Sequence, residues 1–127
     1  MLQNDATARS VPWITQSYAV AVPYLAAGGA KLNDWRPLLS LPTYQAHFLP
    51  PEERMMHATL RGTRERIIGY MLSGSGMAVQ PKDVQEKVAA QIGEVLDRGD
   101  GLVWLDKENG EFEQPFTTLV TVMRRKE

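Results

Sequence analysis

LPPEERMMHATLRGTRERIIGYMLS, residues 49 to 73, is the stretch on which the fold turns. Its spacing predicts the longest helix of the chain, over about 50–73. At about 1.5 Å per residue such a helix runs roughly 33 Å, enough to cross a domain whose radius of gyration is about 14 Å. Pro50 and Pro51 suit a first turn, where a missing N–H costs nothing, and Glu52 and Glu53 complement the positive end of the dipole. At 100° per residue Met56, Leu60, Ile67, Tyr70 and Met71 fall on one stripe, with Ile68 at its edge. The opposite side carries Ala58, Gly62, Gly69 and Ser73, small residues that let another backbone approach closely. The alternative is that Gly62, about 1 kcal/mol worse than Ala in a helix, breaks the element in two. Ser73-Gly74-Ser75-Gly76 ends it on either reading.

Downstream, Met77 to Gln80 is long enough only for a short strand, and Pro81 opens a second helix over 81–98. Val84, Val88, Ile92, Val95 and Leu96 form one stripe there, and Gly99 follows as a helix-ending glycine. Val84, Val88, Ile92 and Leu96 are expected to face Met56, Leu60, Ile67 and Trp104 in the core. The tail reads as a β-hairpin. Gly101 to Leu105 is apolar throughout, Asn109-Gly110 is a strong turn signal, and Glu111 begins the return. Pro115 cannot donate to a ladder, so the return strand must bulge, bend or lie at an edge there. Phe116 to Met123 is β-branched and apolar on both sides, the pattern of a strand covered on both faces or meeting a partner.

Upstream, Met1 to Ser10 lacks periodicity and reads as a mobile arm. From Trp13 to Ala27, strand alternation (Tyr18, Val20, Val22, Tyr24) competes with a helical stripe (Ile14, Tyr18, Ala21, Val22, Leu25). A helix is favoured, with Ser10 as its cap, Pro23 as a kink or boundary and Gly28-Gly29 as its tail. Between residues 31 and 49, Asn33 is placed to cap a short turn from Trp35 to Ser40, and Leu41 to Phe48 is read as loop or short strand. Trp35, Leu38, Leu39, Leu41, Tyr44 and Phe48 are too apolar for a bare loop. Helices first and a hairpin last give an α+β fold, a small single domain over residues 11–127.

Composition sets the outer limits. A chain of 127 residues with 43% apolar and 23% charged residues fits one globular domain. A net charge of −1 gives no global attraction to nucleic acid or anionic membrane. With no cysteine, disulfides, thiol chemistry and cysteine-rich zinc sites are excluded, which fits a cytoplasmic protein. The sequence carries neither a signal-peptide pattern nor an apolar run long enough to cross a bilayer.

The search for chemistry yields little. His47, Glu52, Glu53 and His57 superficially suggest a metal site, but a zincin needs two histidines four apart on one helix with a glutamate between them. On a helix Glu53 and His57 share a face, which leaves a small enzyme with a site near Glu53, His57 and Arg64 as one alternative. Ser75 lies in Gly-Ser-Gly without the spacing of a nucleophile elbow. No cofactor or metal is expected. A second alternative is a nucleic-acid-binding accessory protein. Arg54, Arg61, Arg64 and Arg66 are clustered enough to contact phosphates, and Arg124-Arg125-Lys126 lies near the end. Against it, Glu52, Glu53 and Glu65 interleave with these arginines, as on an ordinary charged face.

The favoured expectation is a non-catalytic interaction protein: a subunit, adaptor or structural component of a larger assembly, working through self-association. Three Trp, four Tyr, three Phe and six Met give more adhesive surface than a small core consumes. The expected contact residues are Ala58, Gly62, Gly69, Ser73, Trp35, Phe48, Phe116 and Val120. By analogy of size alone, a component assembled into a virion-like particle suits this profile.

Overall fold

A computed structural model describes residues 10–25 and 35–127, apart from the Leu25 side chain. In chain order the elements are helix α1 (Pro12–Leu25), a 3-10 turn (Arg36–Ser40), α2 (Pro42–His47), strand β1 (Glu52–Gly62), α3 (Arg64–Leu72), α4 (Ser75–Ala78), α5 (Lys82–Arg98), β2 (Trp104–Asp106) and β3 (Glu111–Val122). The α+β class, the helix over 81–98, the N-terminal helix and the C-terminal hairpin are all present. Among the expectations for the N-terminal region, the arm over residues 1–9, the Gly28-Gly29 tail and the Asn33 cap lie outside the described residues.

The expected helix over 50–73 does not form. Its first half is β1 and its second half is α3. The division falls at Gly62 and Thr63. Gly62 pairs with Phe112 of β3, and a Cβ there would come within 3.2 Å of both the Phe112 ring and Gln114 Cβ. A glycine thus relieves a tight contact where an aromatic ring lies over the neighbouring strand. Thr63 is extended and its hydroxyl accepts from Arg66 N at 3.3 Å, so it caps α3. The helix-forming residues of β1 are overridden by pairing with the β-branched β3, whose ladder needs a partner.

This correction empties part of the expected core. Met56, Leu60 and Trp104 are exposed, while Val88, Ile92, Leu96 and Ile67 are buried as expected. Val84 is only half-buried. The places of the missing residues are taken by Trp13, Ile14, Met71, Met77 and Phe112. α1 packs on α5 and α4, and α3 packs on α5. The stripe of α1 that faces inward is Trp13, Ile14, Ser17 and Ala21; Val22, expected there, is exposed. The α1 start is tied to the end of α5 by Trp13 N–H donating to Asp100 O at 3.0 Å. Two further expectations are corrected. Residues 42–47 form α2 after Pro42 at its first turn, and residues 75–78 form a helical turn, not a strand.

The sheet order is β1-β3-β2, antiparallel throughout. β1 and β3 pair over eleven residues, from Glu52 opposite Val122 to Gly62 opposite Phe112. β2 meets β3 only at Phe112 and Glu111. Pro115 thus lies in the middle strand without breaking the ladder. Glu113 N donates to Val103 O at 2.8 Å, so odd-numbered residues of β3 point their N–H away from β1. Pro115 shares that parity, and its missing donor falls where β2 has already ended. The Gly110 φ of 68° closes the turn between β2 and β3.

Candidate interaction surface

The β1–β3 pair runs roughly 36 Å, and beyond β2 it is a two-stranded ribbon. Phe112 fixes its inner end to the helices. That ring is 2% exposed and meets Trp13 edge-on at 5.5 Å and Trp104 at 5.9 Å. Phe116 adds an edge contact to Tyr70 of α3 at 6.2 Å. The outer end is closed by residues 35–48. Leu49 N–H donates to Arg124 O at 2.9 Å and Lys126 N–H to His47 O at 2.8 Å. Tyr44 stacks on Phe48, and ion pairs link Arg36 to Glu53 at 2.9 Å and Arg124 to Glu52 at 3.2 Å. An open cavity of about 380 Å³ lies there, lined by Leu39, Tyr44, Gln45, Phe48, Pro50, Pro51 and Lys126.

Between these anchors β1 is exposed from Glu52 to Arg61. Met55 on one face and Met56 and Leu60 on the other are 52%, 59% and 55% exposed. Among the described residues only β3 pairs with β1, and none of them covers the hydrogen-bonding groups of its outer edge with a further strand. The parity that sets Pro115 aside also orients this edge. Thr59 is opposite Pro115 and Arg61 opposite Glu113, so odd-numbered residues of β1 point their N–H and C=O outward. Glu53, Met55, His57, Thr59 and Arg61 form the open row, and Arg61 O is already covered by the Arg66 guanidinium at 3.2 Å.

The expected contact residues are only partly gathered. Ala58, Gly62, Phe116 and Val120 share one face of the ribbon, Ala58 directly opposite Phe116 and Val120 opposite Arg54. Gly69 and Ser73 belong to α3 and its cap, so the continuous small-residue helix face does not exist. Trp35 and Phe48 sit at the outer end. Sequence reasoning placed Met56 and Leu60 in the core and did not single out Met55. β1 lacks an alternation of apolar and polar residues that would have marked it as a strand.

The residues of the two alternatives are dispersed. Glu53 and His57 lie four apart in a strand, roughly 13 Å along it, and not side by side on a helix. His57 Nδ1 is 3.0 Å from the Thr117 hydroxyl. Arg64 pairs with Asp97 and donates to Gly93 O at 3.2 Å, and Arg61 pairs with Glu111 at 2.5 Å. Arg54 is on the ribbon face opposite to that of Arg61. Among the described residues no three His, Asp or Glu side chains gather as a metal site, and no helix is long and apolar enough to cross a membrane. Comparison with protein-family models, with curated proteins and with solved structures finds no match.

Proposed function

We propose that this protein is a non-catalytic subunit that works by self-association, in the cytoplasm or built into a particle, and that the β1–β3 ribbon is its contact surface. One observation carries the reading: β1 is exposed from Glu52 to Arg61, and among the described residues no strand pairs with its outer edge. An isolated two-stranded ribbon is marginally stable in water, and an exposed apolar edge strand is a template for further pairing. Natural monomers blunt such edges with charge, bulges or cover, and β1 carries charge only towards its two ends, at Glu52, Glu53, Arg54 and Arg61. Here Met55, Met56 and Leu60 remain open on an edge strand that shows no shift in register against β3. The partnered state of Arg61 and Arg64 supports this reading over a phosphate-binding one.

The experiment is sedimentation or light scattering over a wide concentration range. A mass that rises to a defined multiple of 14.2 kDa is the expected result. A protein that stays monomeric at every concentration refutes self-association.

A further inference from the structure

The open edge of β1 matches itself. We propose that a second copy of this chain pairs along it, antiparallel, about a two-fold axis that passes between the two His57 residues. This rests on the self-association reading above and names its geometry. A two-fold axis perpendicular to the sheet keeps each ribbon face on its own side, so only residues of equal parity oppose each other. Within that constraint, one register overlaps all eleven residues of β1, and it centres on His57. The same register sets Glu53 opposite Arg61 of the second copy, Met55 opposite Thr59, and Met56 opposite Ala58.

Overlap and charge are independent requirements, and one register meets both. Shifting the centre to Met56 sets Glu53 opposite Thr59, and shifting it to Ala58 leaves Glu53 without a partner. In the centred register each Glu53, already held by Arg36 at 2.9 Å, meets the Arg61 that is held by Glu111 in the other copy. The result is an alternating row, Arg36–Glu53–Arg61–Glu111, at each end of the junction. Exposed ion pairs are weak, so the row selects the register while the ladder holds the copies together. The outward N–H and C=O groups of Glu53, Met55, His57, Thr59 and Arg61 are in phase to exchange about ten hydrogen bonds. Because Arg61 O is taken by Arg66, the ladder frays at its two ends. The product is a continuous sheet in the order β2-β3-β1-β1-β3-β2.

The absence of cysteine makes crosslinking a clean test of register. Opposed residues in this ladder have Cα atoms about 5.5 Å apart, within disulfide range. Under mild oxidation H57C should crosslink to itself. M55C and T59C should each remain uncrosslinked alone and should crosslink when mixed. Met55→Pro removes an outward donor while leaving the inward ladder to β3 intact. It should weaken association at least roughly tenfold, from two lost hydrogen bonds per junction, with an unchanged circular dichroism spectrum. A defined oligomer whose H57C variant does not crosslink overturns this junction but leaves self-association standing. A Met55→Pro variant that keeps both its fold and its oligomeric mass does the same. A protein monomeric at all concentrations refutes both.

Discussion

Phe112 is the residue through which the ribbon depends on the helices, and Phe112→Ala measures that dependence. The ring is buried between Trp13 of α1 and Trp104 of β2, and it covers Gly62 on the neighbouring strand. Truncating a buried Phe to Ala costs about 3–5 kcal/mol. Each edge-on aromatic contact adds about 0.5–1.5 kcal/mol, so the upper half of that range is expected. This is a large share of the roughly 5–15 kcal/mol that holds a domain folded. Phe112→Leu keeps most of the volume and should cost about 1.5 kcal/mol. Phe116→Ala, at a half-buried position with one edge contact to Tyr70, should cost less than Phe112→Ala. Denaturant unfolding followed by circular dichroism gives the free energies. Tryptophan fluorescence reports locally, since Trp13 and Trp104 touch the ring and Trp35 lies at the outer end of the ribbon. A Phe112→Ala loss below about 1 kcal/mol would refute the anchor. If that variant does not fold, a Phe112→Leu loss no larger than that of Phe116→Leu does so.

Gly101 and Gly110 separate conformation from contact. Both have positive φ, 72° and 68°, but a Cβ on Gly101 would lie 2.7 Å from Pro12 Cδ, whereas Gly110 faces open space. Gly110→Ala should cost about 1–2 kcal/mol, and Gly101→Ala measurably more in the same denaturant assay. Thr63→Ala removes the cap of α3 and should cost about 1 kcal/mol; no loss would show that the cap hydrogen bond is not formed in solution. The Asp106 carboxylate accepts from Asn109 Nδ2 at 2.7 Å and from Asn109 N at 3.2 Å, and these bonds hold it below the usual carboxylate range. Its contribution is therefore present at neutral pH and lost as pH falls through the depressed folded value. NMR titration should show Asp106 protonating below an ordinary aspartate, with the Asn109 amide shifting in step. Finally, no salt-dependent binding of DNA or RNA is expected at about 50 mM salt, and a binding curve with a steep salt slope would restore the phosphate-binding alternative.

The parts of the fold that could be read from sequence were those where local and tertiary preferences agree. In α5 the periodic stripe, Pro81 at the start and Gly99 with its left-handed φ of 64° all point the same way. The hairpin turn was legible from Asn109-Gly110 for the same reason. Residues 49–73 failed because the two levels conflict. Met55, Met56, Ala58, Leu60 and Arg61 are helix formers, and the stripe that Met56 and Leu60 draw at 100° per residue continues smoothly into α3. Only the long-range partner β3 turns them into a strand. Two signals were present: Gly62 beside Thr63 marks an end followed by a cap, and the β-branched β3 requires a neighbour other than the three-residue β2. Of the contact residues, Phe116, Val120, Ala58 and Gly62 came together on one face. They did so through strand pairing and not through the helix that suggested two of them.

The conflict in β1 also bears on what the segment does. An edge strand built from helix formers, with exposed methionines and an outward row of backbone donors and acceptors, is paired from one side only among the described residues. Its pairing with β3 must offset intrinsic preferences that point elsewhere, since propensity differences of a few tenths of a kcal/mol per residue accumulate over eleven positions. A second strand along the open edge would double the ladder that opposes those preferences, and the cross-strand contacts of Met55 with Thr59 and of Met56 with Ala58 would add apolar burial worth about 25 cal/mol per Å². Natural sequences tolerate such local disagreement mainly at functional sites. The position of the conflict therefore argues on its own for β1 as the working surface. It falls on the same stretch, Glu53 to Arg61, whose odd-numbered residues turn their backbone groups outward.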